Sequence, residues 1–322
     1  MTGRPRRAGL IVNPRSGKGS GKGQALAEKL KGDPGISLHV LEHFEHLEDV
    51  IAGMAQEQVT DLFISSGDGT IQEILTQIAE RPLFSVQPRI CLLPHGTTNL
   101  SANDLGFVNR SIDVQAAFLR RPEARSLATR NTIRCVNPGD GKLRHGMFVA
   151  TGAMSVATHY CQRAFNEQGV KGQWAVAKTL LTAVRKYLLS SPDANDPARF
   201  DRPYAISVEA NGRCMAEGTQ LLQMSTTLDT LLLKCHPFWG GKTAPIRTTV
   251  IPYPVPSVLR WMLPIMYGGE NHASPAGAVS FCSEQLSVAS DVMFVIDGEF
   301  FPAPTGEPLR LETGPAFTFI RS

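Results

Sequence analysis

Short apolar runs and amphipathic segments alternate over the first third of the chain, and polar turns separate them. The apolar runs have the length of buried strands, and the segments between them repeat apolar residues at helical spacing. The predicted strands are Ala8–Val12, Ile36–Leu41, Leu62–Ile64 and Ile90–Leu93, and the predicted helices are Ala25–Leu30, Leu47–Gln58 and Ile71–Glu80. Strands that alternate with helices favour a parallel, doubly wound sheet that binds ligands at the carboxyl ends of its strands.

The pattern changes after about Ser126, where strand-like runs and turns rich in Gly, Pro, Asn and Asp become frequent. These runs are Met147–Thr151, Tyr204–Glu209, Gln220–Ser225, Thr248–Ile251, Ala278–Cys282, Val292–Ile296 and Ala316–Ile320. One long helix, Gln173–Leu189, interrupts them. One face of this helix carries the apolar residues Ala177, Leu180, Leu181, Val184 and Leu188. We therefore predict an α/β domain over residues 1–126 and a mainly antiparallel β domain over residues 127–304.

Composition bears on the class of function and on the cellular compartment that we expect for the protein. The chain of 322 residues is longer than one hydrophobic core usually supports, and a net charge of +3 gives no support for a nucleic-acid partner. The six cysteines are scattered without a Cys-x-x-Cys pair, which favours reduced thiols. We find no secretory signal, and the apolar stretch Val255–Tyr267 is interrupted by Arg260 and Pro264. A cytoplasmic protein is expected.

Three polar loops that contain glycine follow predicted parallel strands. They are Asn13-Pro14-Arg15-Ser16-Gly17, Ser66-Gly67-Asp68-Gly69-Thr70 and Gly96-Thr97-Thr98-Asn99. Loops at the carboxyl ends of neighbouring parallel strands converge on one crevice. Each loop alone has an ordinary explanation as a turn, but three in the same structural position predict a single ligand site.

The middle loop carries the most specific chemistry. Gly67 and Gly69 allow close approach of a phosphate, and the start of the following helix favours bound anions. A carboxylate at Asp68 fits such a site if it holds Mg²⁺, directly or through water. Thr70 is expected to cap the helix and to donate to phosphate, and Glu73 to close a capping box or bind a nucleotide hydroxyl. The alternative is a common Asp-Gly turn capped by threonine.

Other nucleotide motifs do not fit the sequence. A Walker loop needs Ser or Thr after Gly21-Lys22, where this chain has Gly23. A dinucleotide fingerprint needs a glycine at position 72, where this chain has Gln72.

A last motif, Asp297-Gly298-Glu299, lies in an apolar run near residue 300. Its simplest interpretation is a hairpin with an Asp-Gly turn. The functional interpretation is that Glu299 accepts a proton from an attacking hydroxyl, since phosphoryl transfer needs a group that orients the nucleophile.

Together these motifs resemble the diacylglycerol-kinase catalytic-domain family of lipid kinases, which includes bacterial diacylglycerol kinases, sphingosine kinases and ceramide kinases. The resemblance rests on Asn13-Pro14-x-Ser16-Gly17, Gly67-Asp68-Gly69-Thr70-x-x-Glu73, Gly96-Thr97-x-Asn99 and Asp297-Gly298-Glu299. It implies a C-terminal β-sandwich that receives the lipid, an active site in the cleft between the domains, and a return of residues 305–322 to the first domain.

The resemblance also implies the role of each motif. Glu299 would be the base for the lipid hydroxyl, and Asp68 would belong to the Mg-ATP centre. The remaining motif residues would contact ATP: Asn13, Pro14, Arg15, Ser16, Gly17, Gly67, Gly69, Thr70, Glu73, Gly96, Thr97 and Asn99. The expected partner is a lipid at the inner face of the membrane, with Trp239 and Trp261 as interfacial candidates and core packing as their alternative. A homodimer is left open.

Departures from the family pattern bear on the lipid. Ser66 stands where many members have glycine, and Leu100 stands where many have aspartate; sphingosine kinases share both features. We therefore favour a ceramide-like or sphingoid acceptor, with diacylglycerol as the alternative. A NAD kinase-like enzyme and a non-catalytic lipid-binding protein on the same fold also remain open.

Overall fold

The computed structural model describes residues 6–18, 21–107, 109, 111–122, 126–163, 173–189, 196, 198–255, 257–269 and 274–321. The chain divides into two compact units. One unit contains residues 1–130 together with 315–322, and the other contains residues 131–314.

The first unit alternates strands and helices. Its elements are β1 (Ala8–Val12), α1 (Lys22–Leu30), β2 (Ile36–Val40), α2 (Leu47–Gln56), β3 (Asp61–Ser66), α3 (Asp68–Glu80), β4 (Arg89–Pro94), α4 (Leu100–Leu105) and α5 (Ile112–Arg120). The strands pair in parallel in the order β2, β1, β3, β4. The predicted strands and helices of this region are thus confirmed, although α1 begins at Lys22 rather than at Ala25 and α3 at Asp68 rather than at Ile71.

The central strands of this sheet are continuous hydrophobic runs because both of their faces are buried. All five residues of β1 and all six of β3 are buried. Leu10, Phe63 and Leu93 belong to one core cluster with Leu26 of α1 and Leu119 of α5. Burial on both faces leaves only the strand ends for polar chemistry.

The second unit is built mainly from antiparallel strands. They are β5 (Ser126–Cys135), β6 (Arg144–Gly146), β7 (Phe148–Gly152), β8 (Tyr204–Ala210), β9 (Arg213–Ala216), β10 (Thr219–Thr226), β11 (Ile246–Pro252), β12 (Val279–Ser283), β13 (Gln285–Ser290), β14 (Phe294–Ile296), β15 (Glu299–Phe301) and β16 (Leu309–Arg321). One run of neighbours is β15, β14, β7, β10, β8, β13, β16, and β11 joins β10 to β12. With the α/β first unit, this sheet confirms the predicted fold class.

The strand β16 is shared between the two units. Residues 309–312 pair antiparallel with β13 in the second unit. Phe319 then pairs in parallel with Ile90 of β4, and Ile320 joins the core of the first unit. The first unit is therefore discontinuous in sequence.

Three helices accompany the strands of the second unit: α6 (Ala153–Cys161), α7 (Gln173–Leu189) and α8 (Val258–Tyr267). The predicted bounds of α7 are confirmed, but the apolar face read from its sequence is not buried throughout, because Leu181 and Leu188 are exposed. The segment around Pro264 was not predicted to be helical and forms most of α8. Within the described ranges, no helix combines the length and the apolar character needed to cross a bilayer.

Candidate active site

The three glycine-containing loops meet at the carboxyl ends of β1, β3 and β4. The Asn13 side chain donates a hydrogen bond from Nδ2 to Oγ1 of Thr70 at 2.9 Å. Ser16 Oγ lies 2.9 Å from Ser66 Oγ and accepts from the Gly67 amide at 3.1 Å. The first loop is thereby tied to the second at two places, and the predicted convergence of these loops is observed.

The second and third loops are joined through their backbones and through Asp68. Gly67 and Gly96 lie so close that a Cβ on Gly96 would stand 2.6 Å from the Gly67 Cα atom. The buried Asp68 carboxylate accepts from the amides of Leu100 and Ser101, at 3.0 and 3.2 Å, in the first turn of α4. Asp68 thus satisfies amides that a helix start leaves without an intrahelical partner.

The third loop is closed on itself by Asn99. Its Oδ1 accepts from the Gly96 amide at 2.7 Å, and its Nδ2 donates to the Gly96 carbonyl at 2.9 Å. Asn99 has a φ of 56°, a left-handed conformation that asparagine tolerates better than most residues. Thr97, half-buried, lies inside this closed turn. The loop is therefore preorganised by its own side chain.

The structure revises the capping scheme predicted for α3. The helix starts at Asp68 with Gly67 as its N-cap, so Thr70 lies in the first turn and receives the Asn13 hydrogen bond instead of capping. Glu73 accepts from Gln77 Nε2 at 3.1 Å, one turn further along. The expected capping box between Thr70 and Glu73 is wrong, because the helix begins earlier than the apolar spacing indicates.

Positive charge lies near these loops on α1 and on the first loop. Lys22 is the first residue of α1, and Arg15 is exposed. Gly23 lies against β3, where a Cβ would stand 2.6 Å from Ser65 Oγ. The first turn of α1 is thus held close to the strand ends, and α3, a 13-residue helix, directs its positive dipole end to the same edge.

A buried histidine, which the motif analysis missed, follows β4. His95 is 4% exposed, and its Nδ1 lies 2.8 Å from Ser65 Oγ. Burial, with the charge of Lys22 as a second cause, lowers the pKa of His95 to about 4. Nothing in its sequence context distinguished it from a turn residue.

The depressed pKa of His95 predicts acid sensitivity. Its contribution to stability is complete above about pH 6.5, the unfolded value, and is lost as the pH falls towards 4. Between about pH 7.5 and about pH 5, the free energy of unfolding should fall by about 2 kcal/mol more in the wild type than in His95→Gln. Urea titrations at the two pH values measure this difference. Equal losses in both proteins would contradict the assignment.

The close packing of Gly67 and Gly96 gives a second prediction. Gly96→Ala should lower the free energy of unfolding by about 1–3 kcal/mol, because the new methyl group meets backbone atoms that cannot move aside. The matched control is Gly53→Ala in α2, where no atom lies within 4 Å of the added Cβ. That change should stabilise the protein by about 0.5–1 kcal/mol, since glycine is unfavourable inside a helix. Equal urea midpoints for the two variants would contradict the prediction.

The last motif lies in the second unit on the hairpin formed by β14 and β15. Glu299 is exposed and pairs with Ile296 across this hairpin. Asp297, by contrast, is buried, and its carboxylate accepts from the amides of Met147 and Phe148 at 2.8–3.0 Å. The hairpin turn predicted for this motif is confirmed.

Two contacts from α6 and the residue after it further support the hairpin. Gln162 Nε2 donates to the Gly298 carbonyl at 2.8 Å, and the His159 ring packs edge-on against Phe300 at 5.4 Å. The residues on either side of Glu299, Gly298 and Phe300, are thus both fixed by contacts. Among the described residues, no three His, Cys, Asp or Glu side chains form a ligand cluster for a metal ion.

A family model matches most of the first unit. Residues 7–130 match the model of the diacylglycerol kinase catalytic domain, which confirms for this region the resemblance predicted from the motifs. A stretch of 110 residues is 28% identical to sphingosine kinase 1 from Rattus norvegicus; it spans 32% of this chain and only 29% of the rat protein.

Solved structures extend the likeness to the whole fold. A protein from Bacillus anthracis described as a diacylglycerol kinase aligns over 98% of this chain and 97% of its own, with a TM-score of 0.65 and 14% identity. A second structure from the same organism, also of a diacylglycerol kinase, gives a TM-score of 0.61. At these identities the likeness concerns the fold.

Proposed function

We propose, from the family match of residues 7–130, that this chain is a lipid kinase that transfers the γ-phosphate of ATP to a hydroxyl group of a membrane lipid. The observation that carries the proposal is the hydrogen-bonded cluster of the three motif loops within the matched region. In this proposal the first unit binds the nucleotide and the second unit binds the lipid.

The loop cluster suits a polyphosphate. Gly67 and Gly96 pack closely at the strand ends and bring the second and third loops together, and the first turn of α3 supplies the positive end of a helix dipole. Lys22 and Arg15, both exposed, add positive charge beside the loops. In the proposed complex the three motif loops hold the phosphates, and Asn13 and Thr70 hold the first two loops together.

Asp68 is the proposed residue for magnesium. A carboxylate offers about four lone-pair positions, so Asp68 can accept from Leu100 and Ser101 and still hold a metal-bound water. Bound magnesium would neutralise charge on the phosphate oxygens. The two amide hydrogen bonds orient the buried Asp68 carboxylate for that purpose.

Glu299 is the proposed base for the acceptor. As the lipid hydroxyl oxygen bonds to the γ-phosphorus, the bond from that phosphorus to the β-phosphate oxygen breaks, and the hydroxyl proton passes to the Glu299 carboxylate. Its exposure on a supported hairpin suits a group that must meet a substrate. The proposal requires Glu299 to reach the nucleotide bound at the loop cluster.

A ceramide or sphingoid base is the proposed acceptor class, with diacylglycerol as the alternative. The support is the Ser66-Gly67 start of the second motif, Leu100 after the third, and the partial similarity to a sphingosine kinase. An enzyme acting on such lipids would work as a peripheral protein at the cytoplasmic face of a membrane.

The test offers radiolabelled ATP and magnesium to the full chain, with diacylglycerol, ceramide, sphingosine and monoacylglycerol in mixed micelles and NAD as a soluble acceptor. We expect label in the organic-phase product of one lipid class and none in NAD. Label in NAD alone would favour the soluble-substrate kinase. If the protein binds lipid but labels no acceptor, the result would favour a non-catalytic lipid-binding protein.

A further inference from the structure

The helix α7 exposes its largest apolar side chains. Those that are mostly accessible to solvent are Trp174 (76%), Leu181 (68%), Leu188 (60%) and Leu189 (74%). By contrast, small residues lie on its inner side: Ala175 and Thr179 are buried, and Ala183 packs against the core of the second unit. The usual arrangement of an amphipathic helix is therefore inverted.

The exposed residues form one continuous stripe. At about 100° per residue, Trp174, Leu181 and Leu188 fall within about 40° of each other around the helix axis. Lys178 and Arg185 lie between them on the same face, and both are exposed. Read along the helix, the stripe alternates apolar and basic side chains.

The charge on α7 has one sign. Residues 173–189 contain Lys178, Arg185 and Lys186 and no Asp or Glu. Lys186 pairs with Asp196, whereas Lys178 and Arg185 extend from the stripe. Long basic side chains beside apolar ones can place their stems on an apolar phase and their charges at its polar boundary.

A second helix, α8, is linked to α7 through a short turn. In α8, Leu259, Leu263 and Tyr267 are exposed at four-residue spacing, and the helix has Arg260 but no acidic residue. The short turn Leu232–Lys234 packs against α7, and its Leu233 carbonyl accepts a hydrogen bond from the Tyr267 hydroxyl. We call the exposed residues of the two helices the α7–α8 surface.

We propose that the α7–α8 surface docks on a bilayer that contains anionic phospholipid. Exposed Trp and Leu would enter the interface between head groups and acyl chains, while Lys178, Arg185 and Arg260 would contact lipid phosphates. Charge complementarity argues against a second copy of the chain as the occupant, because pairing identical surfaces would bring like charges together. This inference deepens the proposed lipid-kinase function by naming its membrane contact.

The test is flotation with vesicles of equal parts phosphatidylcholine and phosphatidylglycerol, without nucleotide or acceptor lipid. The double change Trp174→Glu and Leu181→Glu should weaken vesicle binding at least about tenfold, because it removes apolar anchors and adds repulsion. Wild-type binding to phosphatidylcholine alone should be weaker, and raised salt should reduce binding to the anionic vesicles. The matched control is the double change Val86→Glu and Val114→Glu, at exposed apolar sites in the first unit.

The outcomes separate docking from catalysis. Vesicle binding by the α7 variant equal to that of the wild type would overturn the proposal, as would an equal loss in the control variant. A wild-type dimer in light scattering that the α7 variant dissociates would assign the surface to a second copy instead. If the wild type binds vesicles but phosphorylates no lipid, the catalytic proposal fails and the docking proposal stands.

Discussion

Glu299→Gln should lower lipid phosphorylation by a factor of about 10²–10⁴, the usual contribution of a general base. Glutamine has nearly the same shape as glutamate but cannot accept the hydroxyl proton. Because Glu299 is exposed on the hairpin of β14 and β15, its replacement should leave the free energy of unfolding unchanged within about 0.5 kcal/mol. Single-turnover transfer and urea unfolding measure the two quantities separately.

The affinity for ATP distinguishes a base from a nucleotide ligand. Glu299→Gln should bind ATP as tightly as the wild type, since the proposed base acts on the acceptor alone. Glu307→Gln, a change at an exposed glutamate of the same unit, is the matched control and should retain full transfer. A loss of ATP affinity as large as the loss of rate would reject the role given to Glu299.

Asp68→Ala should abolish measurable transfer and also destabilise the fold. The change leaves the amides of Leu100 and Ser101 without their acceptor, at a cost of about 2–4 kcal/mol in the free energy of unfolding. Since those amides begin the helix that follows the third motif loop, the loop should lose its position as well. Urea unfolding and nucleotide binding report the two effects.

Asp68→Asn separates the two roles of this residue. Asparagine keeps the size of the side chain but only one of the two acceptor oxygens, so it should recover part of the stability that Asp68→Ala loses, while transfer is still lost with the charge. Asp49→Ala, at an exposed aspartate in the first turn of α2, is the control and should change neither quantity substantially. Wild-type transfer by Asp68→Asn would show that Asp68 is only a structural cap.

The sequence predicted the structure best where a single pattern of apolar residues indicates both the type of secondary structure and which faces of it are buried. Runs such as Ala8–Val12 and Leu62–Ile64 are apolar at every position, which predicts strands covered on both faces, and their parallel pairing then brings the loops after them together. The meeting of Asn13 with Thr70 follows from that geometry. Fold and loop convergence could therefore be predicted without knowing any individual contact.

Burial of α7 could not be predicted from its periodicity. Apolar residues lie on several sides of this helix, and spacing alone does not tell which side meets the sheet. The small residues Ala175, Thr179 and Ala183 allow close packing, so that side faces inward, and Leu181 and Leu188 face outward. Side-chain size, rather than hydrophobicity, decides the orientation here.

The structural roles of Asp68 and Asp297 could not be predicted from the sequence. Asp68 accepts from amides 32 and 33 residues away, and Asp297 accepts from amides 149 and 150 residues away. A local motif shows the residue type and the turn, but not a partner that only the fold supplies. Motif carboxylates can therefore be structural and chemical at once.

The split of the first unit has a consequence for biosynthesis. The ribosome must translate residues 131–314 before the end of β16, which pairs with β4, is made. At about 5–20 residues per second, the β4 edge waits about 10–40 s for its partner. An unpaired strand edge can associate with other chains, so the nascent polypeptide should depend on chaperone protection during that interval.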